Sequence, residues 1–322
     1  MFISLSLSFV ANVPSVAVLD IGSNSIKVLV ATRNESGRLV PLLSKSLDAR
    51  ISAGISATSP RLSGEGIARG LEAIQKLCTA AQAFEPTTTA IVATSAVRDA
   101  ANGADFCAQV RQATGFEVRV LSGMAEANAI GRGLTSDPAL SALQNFYVFD
   151  LGGGSLECLA FQHRKIEQAI SLQLGCVRLT EKFVPDSTLP FSDDSHAAIS
   201  RHVANELSRV GFRFDLPQSV AVATGGTVAT LRAMIGAETG QKAEETPSVV
   251  TLEQAQGLLA RISPLTLAER RQVPGLPPAR ADVFPTALVT LLAIAEAGGF
   301  SFLRHSFHNL RYGLAAELLA ER

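Results

Sequence analysis

The segment FYVFDLGGGSLE, from Phe146 to Glu157, combines an acid and three glycines at the end of an apolar run. The apolar residues are typical of a buried strand, which ends at Asp150. Three consecutive glycines would weaken a strand interior, so they predict a tight turn whose backbone N–H groups approach an anion. An acid at the strand end is well placed to hold a divalent cation for that anion. The segment therefore predicts a phosphate site with Asp150 as a metal ligand.

A second segment, LDIGSNSIKVLVA, starts at Leu19 and aligns without a gap with FDLGGGSLECLAF, which starts at Phe149. Each segment places an acid, Asp20 or Asp150, before a turn of small residues and a second apolar run. Two apolar runs joined by such a turn predict a hairpin. The two copies are too far apart for a solenoid repeat, so we expect two homologous halves. Their turns would face each other across a cleft, where ligands commonly bind.

Further candidates flank these turns. Glu157 follows Ser155 by two residues, and strand alternation puts both side chains on one face. Arg98 follows the strand end ATS, where a guanidinium can clamp a phosphate bidentately. The segment AVATGGTVATL adds a small-residue turn before a helix, a natural anion site. Structural alternatives are a glycine bend for each turn and a turn cap or exposed position for each acid. The phosphate-binding candidates are Ser23, Asn24, Ser25, Lys27, Arg98, Gly152, Gly153, Gly154, Ser155, Gly225, Gly226 and Thr227.

Hydrophobic periodicity places these motifs in an α/β plan. In the first half it predicts a hairpin over 16–31, a strand over 39–46, a helix with N-cap Ser63, a strand after Pro86, a helix over 106–113, a strand in EVRVLS, and a helix from Ser122 to about Leu134. In the second half it predicts strands in FYVFDLG, LECLAF, IEQAISLQ and SVAVAT, and helices around 177–183, 197–210, 254–262, 282–297 and 309–319. Linkers are expected at 135–144 and 240–247.

Composition excludes several classes of protein. A net charge of -1 over 322 residues gives no sign of general binding to nucleic acid or to an anionic membrane. The four cysteines form no CxxC pair, so reduced thiols and a cytoplasmic location are expected. The apolar residues 1–11 lack a basic region and are shorter than a membrane span, which favours a mis-assigned start or an extra strand. GxxxxGK[ST], GxSxG and HExxH are absent from the sequence.

Taken in order, the motifs resemble those of the Ppx/GppA phosphatase family, the exopolyphosphatases and guanosine pentaphosphate phosphohydrolases. The resemblance runs from about Val16 to Leu319 and rests on LDIGSNSIKVLVA, RLSGEGIARGL, VATSAVRDAAN, VLSGMAEANAI, FDLGGGSLE, SLQLGCVRLTEKF, AVATGGTVATL and PGLPPARADVFPTAL. It implies an α/β, actin/Hsp70/sugar-kinase-like fold with two duplicated ribonuclease-H-like domains around a cleft. The first is expected over 12–135 and the second over 136–305, with a C-terminal helix of about 306–322 packed back on the first.

The resemblance also implies Mg²⁺-dependent release of terminal orthophosphate from inorganic polyphosphate, or hydrolysis of pppGpp to ppGpp. In this family a glutamate of an SGxEEA motif is the base that activates water, and Glu126 in SGMAEA matches it. Asp150 matches the metal-binding acid, Glu157 the second acid, and Arg98 a phosphate-contacting arginine. The expected catalytic residues are thus Glu126, Asp150 and Glu157, and the expected metal ligands are Asp150 and Glu157, with Asp20 acting through water.

Two positions depart from the family pattern. Ala125 replaces the first glutamate of the EEA pair, and with Ser122 as N-cap it would stand at N3, where the loss removes a capping box rather than the base. Asn128 replaces a common arginine, which bears on substrate affinity. The chain resembles the short, two-domain type, without the extra C-terminal helical domain of longer members. Family members are often dimers, so a homodimer is one expected assembly, with no nucleic-acid or membrane partner.

Two other functions stay open at this level. A kinase or ATPase of the same fold would need a phosphoryl acceptor site, and the sequence contains no recognisable acceptor motif. A non-catalytic polyphosphate or nucleotide sensor is suggested by Ala125 and Asn128, whereas the presence of Glu126, Asp150 and Glu157 favours catalysis.

Overall fold

The computed structural model describes residues 14–320. The apolar segment 1–11, the predicted domain start at residue 12 and the predicted end of the last helix at residue 322 lie outside the described residues. Within the described part of the chain, no helix combines the length and the apolar character needed to cross a membrane.

The first half contains a five-stranded mixed sheet. Its strands run in the order β3-β2-β1-β4-β5, with β1 antiparallel to β2 and parallel to β4. The hairpin predicted from LDIGSNSIKVLVA is therefore confirmed as β1 and β2. These elements are β1 (Val16–Ile21), β2 (Ser25–Arg33), β3 (Leu39–Asp48), α1 (Gly64–Gln82), β4 (Thr88–Ala93), α2 (Ser95–Asp99), α3 (Gly103–Thr114), β5 (Val118–Val120) and α4 (Gly123–Thr135).

The second half repeats this topology in a six-stranded sheet, of order β10-β11-β9-β6-β7-β8. Strands β8-β7-β6-β9-β11 correspond to β3-β2-β1-β4-β5, which is the ribonuclease-H-like order in both sheets, so the predicted duplication is confirmed. These elements are β6 (Phe146–Leu151), β7 (Leu156–Gln162), β8 (Lys165–Leu172), α5 (Cys176–Phe183), α6 (Asp193–Arg209), β9 (Val220–Thr224), α7 (Gly226–Glu238), β10 (Val249–Thr251), α8 (Leu252–Ile262), α9 (Leu267–Arg270), α10 (Phe284–Ala297), β11 (Phe302–His305) and α11 (Leu310–Leu318).

The apolar sequences of the central hairpin strands, β1 and β6, match their burial in the structure. In β1 and β6 every residue is buried except the acid, because parallel and antiparallel neighbours flank both edges and helices cover both faces. Ser63 and Ser122 cap α1 and α4 as predicted, since each hydroxyl accepts a hydrogen bond from the backbone N–H three residues on. The apolar helix α10 is a core helix that packs against α6 and α8. The short elements β10, α9 and β11 were not predicted, because their few residues carry little periodicity.

The C-terminal helix α11 lies against α4, β1 and β2 of the first half. The two helices cross closely, because a Cβ at Gly313 would overlap the carbonyl of Ala129 and one at Gly133 would overlap that of Asn309. Arg311 of α11 donates from Nη1 to the Val28 carbonyl of β2 at 3.2 Å. This packing fixes α4, whose first turn carries Glu126, relative to the first sheet.

Candidate active site

A narrow cavity of about 70 Å³ lies between the two halves, at the ends of the paired hairpins. It brings together residues that are far apart in the sequence, from β1, β2, α4, β6, β7 and α7. The predicted site residues that line it are Asp20, Ser23, Asn24, Ser25, Lys27, Glu126, Asp150, Gly152, Gly153, Ser155, Glu157, Gly226 and Thr227.

The two hairpins present their acids at equivalent positions. In the first hairpin Asp20 pairs across the ladder with Lys27, and in the second Asp150 pairs with Glu157. Paired residues in an antiparallel ladder point to the same face, so each acid and its partner face the cavity together. The duplication therefore conserves the position of the aspartate and changes the charge opposite it.

The glycine turn of the second hairpin is held from behind by α5. The backbone N–H of Cys176 donates to the Gly152 carbonyl at 3.0 Å, and that of Val177 donates to the Gly153 carbonyl at 2.8 Å. The C=O and N–H of a trans peptide point in opposite directions, so the N–H groups that follow these carbonyls face away from α5. The turn thus has the polarity of an anion site.

The two turns touch across the cleft. A Cβ at Gly153 would lie 2.8 Å from the Cβ of Ser23, which leaves no room for a side chain at that glycine. The Ser23 hydroxyl also lies 3.2 Å from the hydroxyl of Ser95 at the start of α2. Gly154 lies behind this contact, packed against Ser23 and Ser95, and does not line the cavity.

The third turn adds a helix N-terminus. Gly225 is the N-cap residue of α7 and has φ +88°, a conformation that favours glycine. A Cβ there would collide with the Asp150 carboxylate, so Gly225 packs against that acid and does not line the cavity. Thr227 donates from Oγ1 to the Leu151 carbonyl at 3.1 Å, which anchors the helix to β6.

Glu126 lies in the first turn of α4 and is 6% exposed. The Ser122 hydroxyl accepts from the Ala125 N–H at 3.2 Å, which places Ala125 at N3 as expected. Arg98 donates from Nη1 to Glu126 Oε2 at 2.9 Å and to the Leu121 carbonyl at 2.9 Å. Arg98 therefore contacts the glutamate and does not line the cavity. Burial raises the pKa of Glu126 to about 7, although the hydrogen bond from Arg98 opposes this shift.

The other acids resist ionisation as well. Burial raises the pKa of Asp150 to about 6 and also raises that of Asp20. The pKa of Glu157 is raised well above its ordinary value, first by burial and then by the charges of Glu126 and Asp150. The Ser171 hydroxyl opposes this rise by donating to Glu157 Oε1 at 2.7 Å. Four acids around one small cavity create a strong local demand for positive charge.

The oxygen atoms around the cavity fit a hard cation that keeps ligands from outside the protein. Asp20 Oδ1 and both side-chain polar atoms of Asn24 are buried without a hydrogen-bond partner among residues 14–320. Within that same range, no three His, Cys, Asp or Glu side chains are close enough together to hold a metal by themselves. Mg²⁺ typically uses one or two carboxylates, with waters and substrate phosphates as its other ligands. Asp150 with Glu157 or Asp20 suits that arrangement and does not suit a closed protein cage.

Most of the chain, including the cavity residues from Thr94 onward, matches one family. A sequence model of the Ppx/GppA phosphatase family matches residues 28–321. The chain belongs to the Ppx/GppA phosphatase family. It is similar in structure to a family member from Aquifex aeolicus, with 25% sequence identity, 97% of this chain and 99% of that chain covered, and a TM-score of 0.77. It also shares its fold with an exopolyphosphatase from Cytophaga hutchinsonii, at 19% identity, 95% and 98% coverage and a TM-score of 0.85.

Family membership makes the chain a phosphohydrolase and confirms the predicted family. A phosphatase must bind a multiply charged anion, and small-residue turns from both halves line the cavity. The shared fold confirms the predicted α/β, actin/Hsp70/sugar-kinase-like architecture of two duplicated ribonuclease-H-like units.

Sequence reasoning missed several residues that line this cavity. Arg280, Thr94 and Ser95 line the cavity, and Arg280 lies against Gly226 with Nη2 3.5 Å from the Ser25 hydroxyl. Arg280 belongs to the PGLPPARADVFPTAL motif, and the hydroxyls end the ATS strand, so both signals were present without an assigned role. Only the fold brings these segments to the turns.

A larger cavity of about 560 Å³ adjoins the first. The two cavities share a wall, because both are lined by Lys27, Gly226 and Arg280. Arg311 lines the larger cavity and is 8% exposed, and its Nε has no hydrogen-bond partner among the described residues. Burial lowers the pKa of both Lys27 and Arg311, while the charge of Asp20 opposes the shift in each case.

Proposed function

We propose that this phosphohydrolase releases terminal orthophosphate from a phosphoanhydride chain, either inorganic polyphosphate or pppGpp, in the presence of Mg²⁺. One observation carries the proposal. Glu126, with a pKa of about 7, shares a cavity with two aspartates on opposed hairpins and with three small-residue turns. A group with this pKa is half ionised near neutral pH, which suits a general base.

The turns and cations hold the terminal phosphate in this scheme. The backbone N–H of Gly153, which follows the Gly152 carbonyl, and the small residues of the first turn bind its oxygens. Lys27 and Arg280 add positive charge at the inner wall of the cavity. Phosphoryl transfer depends mainly on such positioning and charge neutralisation.

Asp150, with Glu157 or Asp20, would hold Mg²⁺, and the ion would supply positive charge to the phosphate oxygens. Glu126 accepts a proton from water as the water oxygen bonds to the terminal phosphorus. The bond between that phosphorus and the bridging oxygen breaks, and the shortened chain leaves with the bridging oxygen. Arg98 fixes the orientation of the Glu126 carboxylate through its hydrogen bond.

The adjoining cavity supports a substrate that extends beyond its terminal phosphate. Lys27, Lys45, Arg280 and Arg311 line it, and among the described residues the single acid in its wall is Glu244. A chain of further phosphates or a nucleoside phosphate would be electrostatically favoured there. A small monophosphate would leave these cations unused.

The test is a phosphate-release assay with Mg²⁺ on short polyphosphate, long polyphosphate, pppGpp and ATP in parallel. We expect release from polyphosphate or pppGpp and little from ATP. Preferential ATP hydrolysis, or transfer of its phosphate to an added acceptor, would instead support a kinase or ATPase. Binding of all four substrates without phosphate release would support a sensor.

A further inference from the structure

Arg178, in the first turns of α5, is a buried cation that crosses the cleft. It is 8% exposed, and its guanidinium donates in three directions. Nε donates to the Gly154 carbonyl at 3.1 Å, Nη1 to the Ile55 carbonyl at 2.8 Å, and Nη2 to Asp99 Oδ2 at 2.5 Å. Gly154 belongs to the glycine turn of the second half, whereas Ile55 and Asp99 belong to the first half. One side chain therefore contacts both halves at the level of the turn.

The contact continues to the proposed base. Asp99 ends α2, and its Oδ1 lies 3.6 Å from Nε of the preceding residue, Arg98. Arg98 in turn donates to Glu126 at 2.9 Å. The Asp99 carboxylate thus lies between two guanidinium groups, and an unbroken series of polar contacts joins Gly154 to Glu126 through Arg178, Asp99 and Arg98.

We infer that Arg178 is a positioning residue that fixes the glycine turn of the second half relative to the base of the first half. The inference rests on the proposed function, because it takes Glu126 as the base and the turn as the phosphate site. Water held by one half must lie in line with the phosphorus held by the other, and a misplacement of about 1 Å can cost about 100-fold in rate. The rigid, planar guanidinium reaches three acceptors at fixed angles, which a lysine cannot do.

A second contact across the cleft provides a matched control. Glu181, also on α5, accepts hydrogen bonds from the N–H of Gly54 at 2.8 Å, the N–H of Ser56 at 3.0 Å and the Ser56 hydroxyl at 2.8 Å. These bonds join the same helix to the same loop of the first half. They do not involve the glycine turn, Asp99 or Arg98, so Glu181→Gln weakens the contact between the halves without touching the series of contacts to Glu126.

The experiment measures steady-state phosphate release from tripolyphosphate with Mg²⁺, and urea denaturation, for wild type, Arg178→Lys, Asp99→Asn and Glu181→Gln. We expect Arg178→Lys and Asp99→Asn to lower kcat about 10- to 100-fold. For Asp99→Asn we expect KM to change by less than about threefold, since the turn keeps its contact with Arg178. Glu181→Gln is expected to keep kcat within about twofold of wild type, whatever its effect on stability.

Two results would overturn the inference. One is wild-type kcat in both Arg178→Lys and Asp99→Asn. The other is an equal loss of kcat in Arg178→Lys and Glu181→Gln that follows their loss of stability, because Arg178 would then be only a structural bridge. If the wild type itself released no phosphate, the proposed function would fail, and calorimetric binding of tripolyphosphate would decide the inference. In that case Arg178→Lys should bind tripolyphosphate about tenfold more weakly than wild type does, whereas Glu181→Gln should bind it as tightly as wild type. Equal affinities of the two variants for tripolyphosphate would refute the role of Arg178.

Discussion

Lys27 and Glu157 occupy the same position in the two hairpins, each directly opposite the aspartate of its own hairpin. Both line the central cavity. One half therefore offers a cation beside Asp20, and the other offers a second acid beside Asp150. The duplicated scaffold provides two equivalent positions opposite an aspartate, and they hold a basic residue in one half and an acidic residue in the other.

The first prediction concerns how the burial of Glu157 beside other acids affects the free energy of unfolding. Its pKa in the folded protein is raised above the ordinary 4.5, so the folded state binds this proton more tightly than the unfolded state. The stability linked to Glu157 is therefore present at low pH and is lost as pH rises from about 4.5 through the folded pKa. Glu157→Gln should raise the free energy of unfolding by about 1 kcal/mol or more at pH 8, and change it little at pH 5.

Urea denaturation at both pH values, without divalent cations, measures this difference. Glu65→Gln is the control, because that side chain is 92% exposed in the first turn of α1. A Glu157→Gln variant that is no more stable than wild type at pH 8 would show that the ionised Glu157 carboxylate does not destabilise the folded protein.

The second prediction tests the base. Glu126→Gln keeps the shape of the side chain and an oxygen to accept from Arg98, but it cannot take a proton from water. We expect loss of phosphate release by a factor of about 100 or more, with affinity for tripolyphosphate nearly unchanged. Phosphate release and calorimetry measure the two quantities. Near-normal turnover by this variant would remove Glu126 from the mechanism.

The third prediction concerns pH. A base must be ionised, so kcat/KM for the free enzyme should rise with pH through about 7, the pKa of Glu126. Arg98 lowers that pKa through its hydrogen bond and charge, so Arg98→Met should move this rise to higher pH by about one unit. The measurement is kcat/KM from pH 5 to 9. Arg111→Met, which removes an exposed ion pair with Glu117, should leave the profile in place. A shift to lower pH in Arg98→Met would contradict the assignment.

The fourth prediction concerns the crossing of α4 and α11. An added methyl at Gly313 would overlap the Ala129 carbonyl, so Gly313→Ala should destabilise the protein by about 1–3 kcal/mol and lower kcat, because α4 carries Glu126. Gly257→Ala is a matched change in α8, where open space surrounds the glycine, and it should stabilise by about 0.5–1 kcal/mol. Urea denaturation compares them. Equal effects of the two substitutions would mean that the helices can separate without cost.

The strongest local patterns were sufficient for much of the fold. The acid that ends an apolar run, followed by small residues, predicted both hairpins, and their gapless alignment predicted the duplication that the two sheets share. Ser63 and Ser122 were read correctly as caps, because a capping hydroxyl acts only on its own helix. The strands β10 and β11 escaped prediction, since strands of three and four residues depend on their neighbours in the sheet more than on their own residues.

The site was predictable where chemistry is local. Asp20, Asp150 and the small residues of the turns follow from motifs a few residues long, whereas Glu126 was identified through the family resemblance. The fold places these acids and most of the small residues around one cavity. Arg280 is different, because its contact with Gly226 and Ser25 joins segments from both halves of the chain. No pattern along the sequence encodes such a distance.

The sequence by itself determined which residues are candidates for binding phosphate and a metal, because residue type and short-range spacing decide hydrogen-bonding groups, charge and turn geometry. Only the tertiary structure decided how those groups act on one another. It placed Arg98 against Glu126, Lys27 opposite Asp20, and Arg178 between Gly154 and Asp99. Burial and distance set the pKa of each acid, and they also decide which side chains join the two halves through hydrogen bonds. Burial and distance between segments far apart in the sequence are defined only in the folded protein.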